Sequence, residues 1–235
     1  RLREINPAPF AAYFVYPEVI LASASPERFL EVRGRVVETR PIKGTRPRGK
    51  DPTDDARLRK ELLDSEKDRA ELVMIVDLER NDLGRVCSFG SVQVPELFCL
   101  EEYASVFHLT ARVTGNLAPG KDVIDLLKAA FPGGSITGAP KIRAMEIIEE
   151  VEPVKRGIYT GSIGYLGFDS NVDLNIAIRT LIIKDRVAYL QVGGGIVADS
   201  DPDAEYWETI YKGTALLQAL GYNQEMVQGC LPLRG

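Results

Sequence analysis

Glu205, Glu208 and Lys212 stand at i, i+3 and i+7 near the end of the chain. On a helix this spacing puts two carboxylates and one ammonium on a single face. Just upstream, Gly193, Gly194 and Gly195 have no side chains, so their backbone N–H groups can come close to an anion. The combination points to a site for an anionic substrate and a divalent metal, or equally to a glycine-rich bulge followed by a solvated acidic helix. A second carboxylate pair, Asp68 and Glu71, stands three residues apart at the edge of the apolar run LVMIVDLER. A carboxylate at a buried edge needs a cation or a metal. Lys67 and Arg69 are expected to be poorly placed for Glu71, which favours the metal.

Other residues carry weaker signals alone. Lys43 lies in PIKGTRPRG, where an arbitrary lysine is usually a solvated loop residue. His108 is the only histidine, and a lone histidine on a strand is usually a satisfied core or surface group. Arg179 falls inside IAIRTLII, where burial is costly unless it meets an anion; the alternative is an outward-facing position on the strand. PGGSITGAPK departs from a Walker loop, because Ala139 and Pro140 separate Gly138 from the lysine. Pro140 in a first helical turn would leave N–H groups free to face an anion, and Ser135 and Thr137 add hydroxyls.

Several elements must position these groups. Residues 11–40 read as an antiparallel meander of short strands broken by Pro17, Pro26 and Gly34. Residues 53–82 read as one long helix, with Leu58, Leu62, Leu72 and Val76 at helical spacings and LVMIVDLER buried. Further short strands are expected over 85–100, a strand over 105–115, and helices over 123–131 and from Lys141 to a stop before Pro153. Residues 157–197 form a second meander with turns at Ser170–Asn171 and Asp185–Arg186. The glycines end its last strand. A helix capped by Ser200 or Asp201, with Pro202 in its first turn, carries Glu205 to Lys212.

With 235 residues, 45% apolar and 27% charged, the chain is ordinary for a soluble globular protein. A net charge of −5 and the lack of a basic tract argue against nucleic acid or anionic membrane as main partner. No apolar run of transmembrane length and no signal peptide is visible. The three cysteines, Cys87, Cys99 and Cys230, read as reduced thiols of a cytoplasmic protein. Opening at Arg1 without methionine is expected of a fragment or processed product.

SPERF, PIKGT, KDRAELVMIVDLERNDLGRV, GGSITGAPK, GSIGY, IRT, GGGIVADS and AEYWET follow one another in this order. Together they resemble the chorismate-utilising enzymes, and within them the aminodeoxychorismate synthase component I branch, over residues 6–220. The resemblance implies an α+β fold of large antiparallel sheets with helices packed outside, in agreement with the two meanders. It implies a chorismate-binding catalytic domain over 1–222, lacking the N-terminal half where relatives bind tryptophan, and a tail over 223–235 of unknown role.

Residue roles follow from the same resemblance. Magnesium suits oxygen ligands; Glu71 and Glu208 match its direct ligands, and Asp68 and Glu205 would hold metal-bound waters. Arg179, Tyr159 and the amides of Gly193, Gly194 and Gly195 would meet the enolpyruvyl carboxylate, with Lys212 near the other carboxylate and Thr137 and Gly138 lining the pocket. His108 matches a histidine close to the ring. Lys43 matches a lysine thought to add to ring carbon 2 and expel the 4-hydroxyl, where anthranilate synthases usually carry alanine. Glu27 of SPERF matches the general acid and base. Ammonia would come from a glutamine amidotransferase subunit, for 4-amino-4-deoxychorismate in folate biosynthesis. The alternatives are anthranilate synthase component I and a catalytically silent binding fragment.

Overall fold

Strand and helix alternate in blocks. A short helix, α1 (Leu2–Ile5), leads into β1 (Phe10–Val15), β2 (Ile20–Ser25), β3 (Arg28–Arg33), β4 (Val36–Arg40) and β5 (Ile42–Pro47). Two helices follow, α2 (Pro52–Asp64) and α3 (Glu66–Gly84), then the long strands β6 (Gln93–Glu102) and β7 (Val106–Asn116). Next come α4 (Val123–Ala130), α5 (Gly134–Thr137) and α6 (Lys141–Val151). Four short strands, β8 (Gly164–Leu166), β9 (Val172–Asn175), β10 (Thr180–Lys184) and β11 (Val187–Leu190), precede the last helix, α7 (Pro202–Leu220). This computed structural model describes residues 1–104 and 106–222. The 223–235 tail and Cys230 lie outside the described residues. Among those described, no helix is long and apolar enough to cross a membrane. The α+β class and the antiparallel sheets are as expected.

The chain divides into two units. The first comprises residues 1–26, 156–159 and 177 onward. Its sheet has the order β1-β2-β10-β11, antiparallel throughout, with Ala22 opposite both Tyr13 and Leu181. Leu21, Ala24 and Leu181 of the sheet are buried, as is Leu216 of α7. The buried hydroxyls of Ser23 and Thr180 satisfy each other at 2.9 Å.

The second unit comprises residues 27–155 and 160–176. Its sheet runs β5-β7-β4-β3-β9-β8, and β6 pairs with β7. Period-2 alternation along β7 buries Phe107, Leu109, Ala111 and Val113. Leu62 of α2, Leu72, Ile75 and Leu83 of α3, and Leu126 of α4 are buried in the same unit. The intervening side chains of β7 and β4 form an ionic ladder in which Arg112 Nε donates to Glu38 at 2.6 Å. Arg28 donates to the same carboxylate at 3.1 Å.

Three expectations are corrected. The long helix over 53–82 is two helices. Ser65 has an extended ψ of 104° and its side chain accepts from Asp68 N, so it caps a new helix there. LVMIVDLER is buried on one side only: Leu72, Ile75 and Val76 face inward, while Val73 and Met74 are exposed. Arg179 is not in mid-strand. The second meander is cut between Asn175 and Thr180, where the chain leaves one sheet for the other, and Arg179 sits in that link with φ +51°.

Candidate active site

In the first unit the predicted residues gather around one loop. β11 ends at Leu190, before the glycines rather than through them, and residues 191–198 form an irregular segment. A Cβ on Gly193 would stand 2.9 Å from the Tyr159 hydroxyl. One on Gly194 would stand 3.1 Å from Glu205 Oε2 and 3.8 Å from Lys212 Nζ. Only glycine permits the first of these approaches without displacement. Gly195 follows, exposed. Lys212 donates to the Gly193 carbonyl at 3.1 Å and pairs with Glu208 at 2.5 Å, one turn back on α7.

The start of α7 fixes those carboxylates. Asp201 is the cap, accepting from Ala204 N at 2.8 Å, and Pro202 occupies the first turn. Ser200, the other candidate cap, instead accepts from Val197 N at 3.1 Å and donates to Glu205 Oε1 at 2.6 Å. Glu205 is buried and Glu208 half-exposed. Half-buried Arg179 stands just before β10, and its carbonyl accepts from Ala24 N at 3.0 Å. This unit therefore offers an ammonium, two carboxylates, a phenol and a loop backbone within a few ångströms.

In the second unit β5 carries the candidate nucleophile on a bulge. Ile42 faces Thr110 and Thr45 faces His108, so Lys43 and Gly44 share one partner position on β7. Bulges re-aim side chains and concentrate beside active sites. Gly44 has φ +79°, and a Cβ there would lie 2.8 Å from both Asp68 Cγ and Leu62 Cδ1. The glycine of PIKGT thus lets β5 touch the Asp68 carboxyl on α3. Lys43 is half-buried. His108 is buried; Thr45 Oγ1 lies 2.8 Å from its Nδ1, and the Tyr103 ring stands edge-on at 5.5 Å.

Asp68 accepts from Arg46 at 3.2 Å, and Glu71 has Lys67 at 4.0 Å. Lys67 is therefore placed for Glu71 after all, because i, i+4 residues are neighbours on a helix. Glu27 is 5% exposed, and its carbonyl accepts from Ile176 N at 3.0 Å. The Thr137 hydroxyl donates to Gly133 O at 2.9 Å, and Gly138 follows with φ +128°. Lys141, outside the candidate set, ties this loop down through Ala130 O at 2.9 Å and Pro132 O at 2.8 Å. Thr45 and Arg46 are further positioning groups that sequence reasoning misses, and Ser200, read there as a cap, holds Glu205 instead. A hydroxyl two residues from a candidate lysine is the one available signal, for Thr45.

Each unit offers one carboxylate pair that suits magnesium by type. Asp68 and Glu71 on α3, and Glu205 and Glu208 on α7, are hard oxygen donors one turn apart. Among the described residues no three acidic, histidine or cysteine side chains close into a cage. Magnesium is usually held by one or two carboxylates with substrate and waters rather than by a cage.

A family model described as chorismate binding enzyme matches residues 1–218. The chain belongs to the chorismate binding enzyme family. Among curated members, it is 50% identical over 224 residues to aminodeoxychorismate synthase component 1 of Bacillus subtilis (strain 168), covering 95% of this chain and 48% of that protein. It is 55% identical over 219 residues to an anthranilate synthase component 1 of Haloarcula marismortui, covering 93% of this chain and 45% of that one. The crystal structure of anthranilate synthase component I from Streptococcus pneumoniae TIGR4 superposes with a TM-score of 0.82 at 43% identity, over 91% of this chain and 47% of that one. The chain thus spans about half the length of these chorismate binding enzymes.

Proposed function

We propose that this chain carries the catalytic part of an aminodeoxychorismate synthase component I, which replaces the 4-hydroxyl of chorismate by ammonia to give 4-amino-4-deoxychorismate for folate biosynthesis. The observation that carries the reading is Lys43 on the β5 bulge, beside a glycine that brings the strand onto Asp68. In the proposed reaction the Lys43 amine forms a bond to ring carbon 2, both ring double bonds shift (C1=C2 to C1=C6, C5=C6 to C4=C5), and the C4–O bond breaks. Glu27 gives the departing hydroxide its proton. Ammonia then forms the C4–N bond, both double bonds return, and the bond to Lys43 breaks. His108, oriented by Thr45, sits near the ring.

Arg179, Tyr159 and the Gly193 to Gly195 backbone would take the enolpyruvyl carboxylate, with Lys212, Thr137 and Gly138 around the substrate. Glu71 and Glu208 would hold magnesium directly, and Asp68 and Glu205 through waters. When bound, magnesium would neutralise a substrate carboxylate. The ammonia would come from a glutamine amidotransferase subunit in the cytoplasm. A second reading, anthranilate synthase component I, draws on the 55% identity to the Haloarcula protein.

The test is to incubate the intact protein with chorismate, magnesium and ammonium salt and to identify the product by mass and absorbance. 4-Amino-4-deoxychorismate is expected. Lys43→Ala should cost about 10³-fold or more in turnover, the scale of removing a covalent nucleophile. Anthranilate as product, or full amination by Lys43→Ala, would overturn the assignment, and no product would favour a silent binding protein.

A further inference from the structure

The segment between α4 and α6 carries Thr137 and Gly138 on a helix, α5, of four residues. A helix that short does not hold itself. Its base is pressed onto the second unit: a Cβ on Gly133 would stand 2.7 Å from Ile176 Cδ1, and one on Gly134 3.0 Å from Leu78 Cδ2 of α3. Gly138 N donates to Gly134 O at 3.2 Å. Lys141 opens α6, and its side chain turns back to where the segment begins. The ammonium donates to Ala130 O at 2.9 Å and to Pro132 O at 2.8 Å, and it pairs with Asp82 of α3. Three donors meet three acceptors, so the ammonium is fully used. Ala130 is the last residue of α4. The closing carbonyls of a helix lack partners within it, and a cation suits the negative end of the helix dipole.

We propose that Lys141 is a positioning residue: it clamps the two ends of segment 130–141 together on Asp82 and so fixes how Thr137 and Gly138 face chorismate. This rests on the substrate role given to Thr137 and Gly138 in the proposed function. The helix that receives the clamp, α3, also carries Asp68 and Glu71, so the loop and that carboxylate pair share one support. Without the clamp the pressed glycines still hold the base of the loop, but its two ends can part. Substrate binding should then weaken, while Lys43 and Glu27 remain as they are. An interaction made equally with substrate and transition state shows in KM rather than in kcat.

The test compares the intact protein with its double variant Asp82→Leu/Lys141→Met, which removes both charges together and leaves no uncompensated buried ion. With chorismate, magnesium and ammonium salt, the double variant should raise KM for chorismate by about 10-fold or more and keep kcat within a factor of about 3. Amide exchange followed by mass should run about 10-fold or more faster over residues 131–140 in the double variant, with residues 72–83 of α3 as in the wild type. Should the double variant not fold, exchange in the wild type decides: the Phe131 and Gly138 amides should be slowed together with α3, and exchange at the rate of an open chain would overturn the inference. So would a folded double variant with wild-type KM, or one with wild-type loop exchange. A wild type that makes no product from chorismate, beside a double variant with the loosened loop, sinks the proposed function and leaves the clamp standing.

Discussion

Lys141→Met should strike the second unit where burial and charge meet. The Lys141 and Asp82 side chains are 12% and 6% exposed, so their ion pair is largely out of water. The same ammonium donates to Ala130 O and Pro132 O, fastening the chain before α6. Removing one partner of a buried pair leaves the other uncompensated and costs about 3–5 kcal/mol. That cost should depend on pH. Burial already raises the Asp82 carboxyl, and Lys141 foremost, with a smaller part from Arg85, opposes the rise. Without the lysine the folded value climbs further. A carboxyl with a raised folded value favours the fold below its unfolded value and loses that contribution as pH rises through the folded value. Lys141→Met should therefore lie nearer wild type at pH 5 than at pH 8. With an m-value of about 2 kcal/mol/M, the urea midpoint at pH 8 should fall by about 2 M with m unchanged. The double variant Asp82→Leu/Lys141→Met should regain most of it, because an apolar replacement removes both buried charges. A midpoint shift below about 0.3 M at pH 8, or an equal loss at both pH values, would refute the reasoning.

Gly44→Ala places a methyl group 2.8 Å from Asp68 Cγ at φ +79°; the left-handed backbone alone costs about 1–2 kcal/mol, so midpoint and turnover should both fall, and wild-type turnover would disprove that β5 must reach Asp68. Gly115→Ala sets a Cβ 2.7 Å from the buried Cys87 Sγ, an overpacking cost of about 1–3 kcal/mol. Adding Cys87→Ala should relieve it in the same urea titration. Arg48 and the Gly49 amide hold the Asp55 carboxyl at about 2. A depressed carboxyl supports the fold above its unfolded value, near about 4, and loses that support as pH falls to about 2. The melting temperatures of wild type and Asp55→Asn should accordingly converge across that window, and a constant gap would show that Asp55 is held by something other than its charge.

Much of the fold is legible in the sequence because its signals are local. Alternation marks β7, Asp201 and Pro202 mark α7, and Lys141 to Pro153 bounds α6. What escapes depends on contacts far along the chain or on a single local bond. Ser65 breaks the 53–82 helix through one capping bond, while the flanking leucine spacing continues as if unbroken. Arg179 sits within an unbroken apolar run, yet its strand is cut where the chain changes sheets. At the candidate site, glycines flanking candidate residues are visible, but not what they press against. Tyr159 against Gly193 and Asp68 against Gly44 follow from tertiary approach alone. The expectation that Lys67 is poorly placed for Glu71 overlooks helix geometry, which makes the two neighbours.

Both carboxylate pairs start in the first turn of a capped helix, Asp68 behind Ser65 and Glu205 behind Asp201. A helix beginning there presents roughly half a positive charge from its aligned peptide dipoles. That field favours the carboxylates themselves and disfavours a bare cation beside them, so either helix alone would be a poor magnesium trap. An anion arriving with the cation reverses the balance, because it is drawn by the same field and by the ion. Metal and anionic substrate would then strengthen each other reciprocally, and the protein would sample magnesium loosely until substrate is present. Magnesium affinity measured by calorimetry with and without chorismate reads this directly: tighter binding with substrate is the expected result, and equal affinity would exclude the coupling.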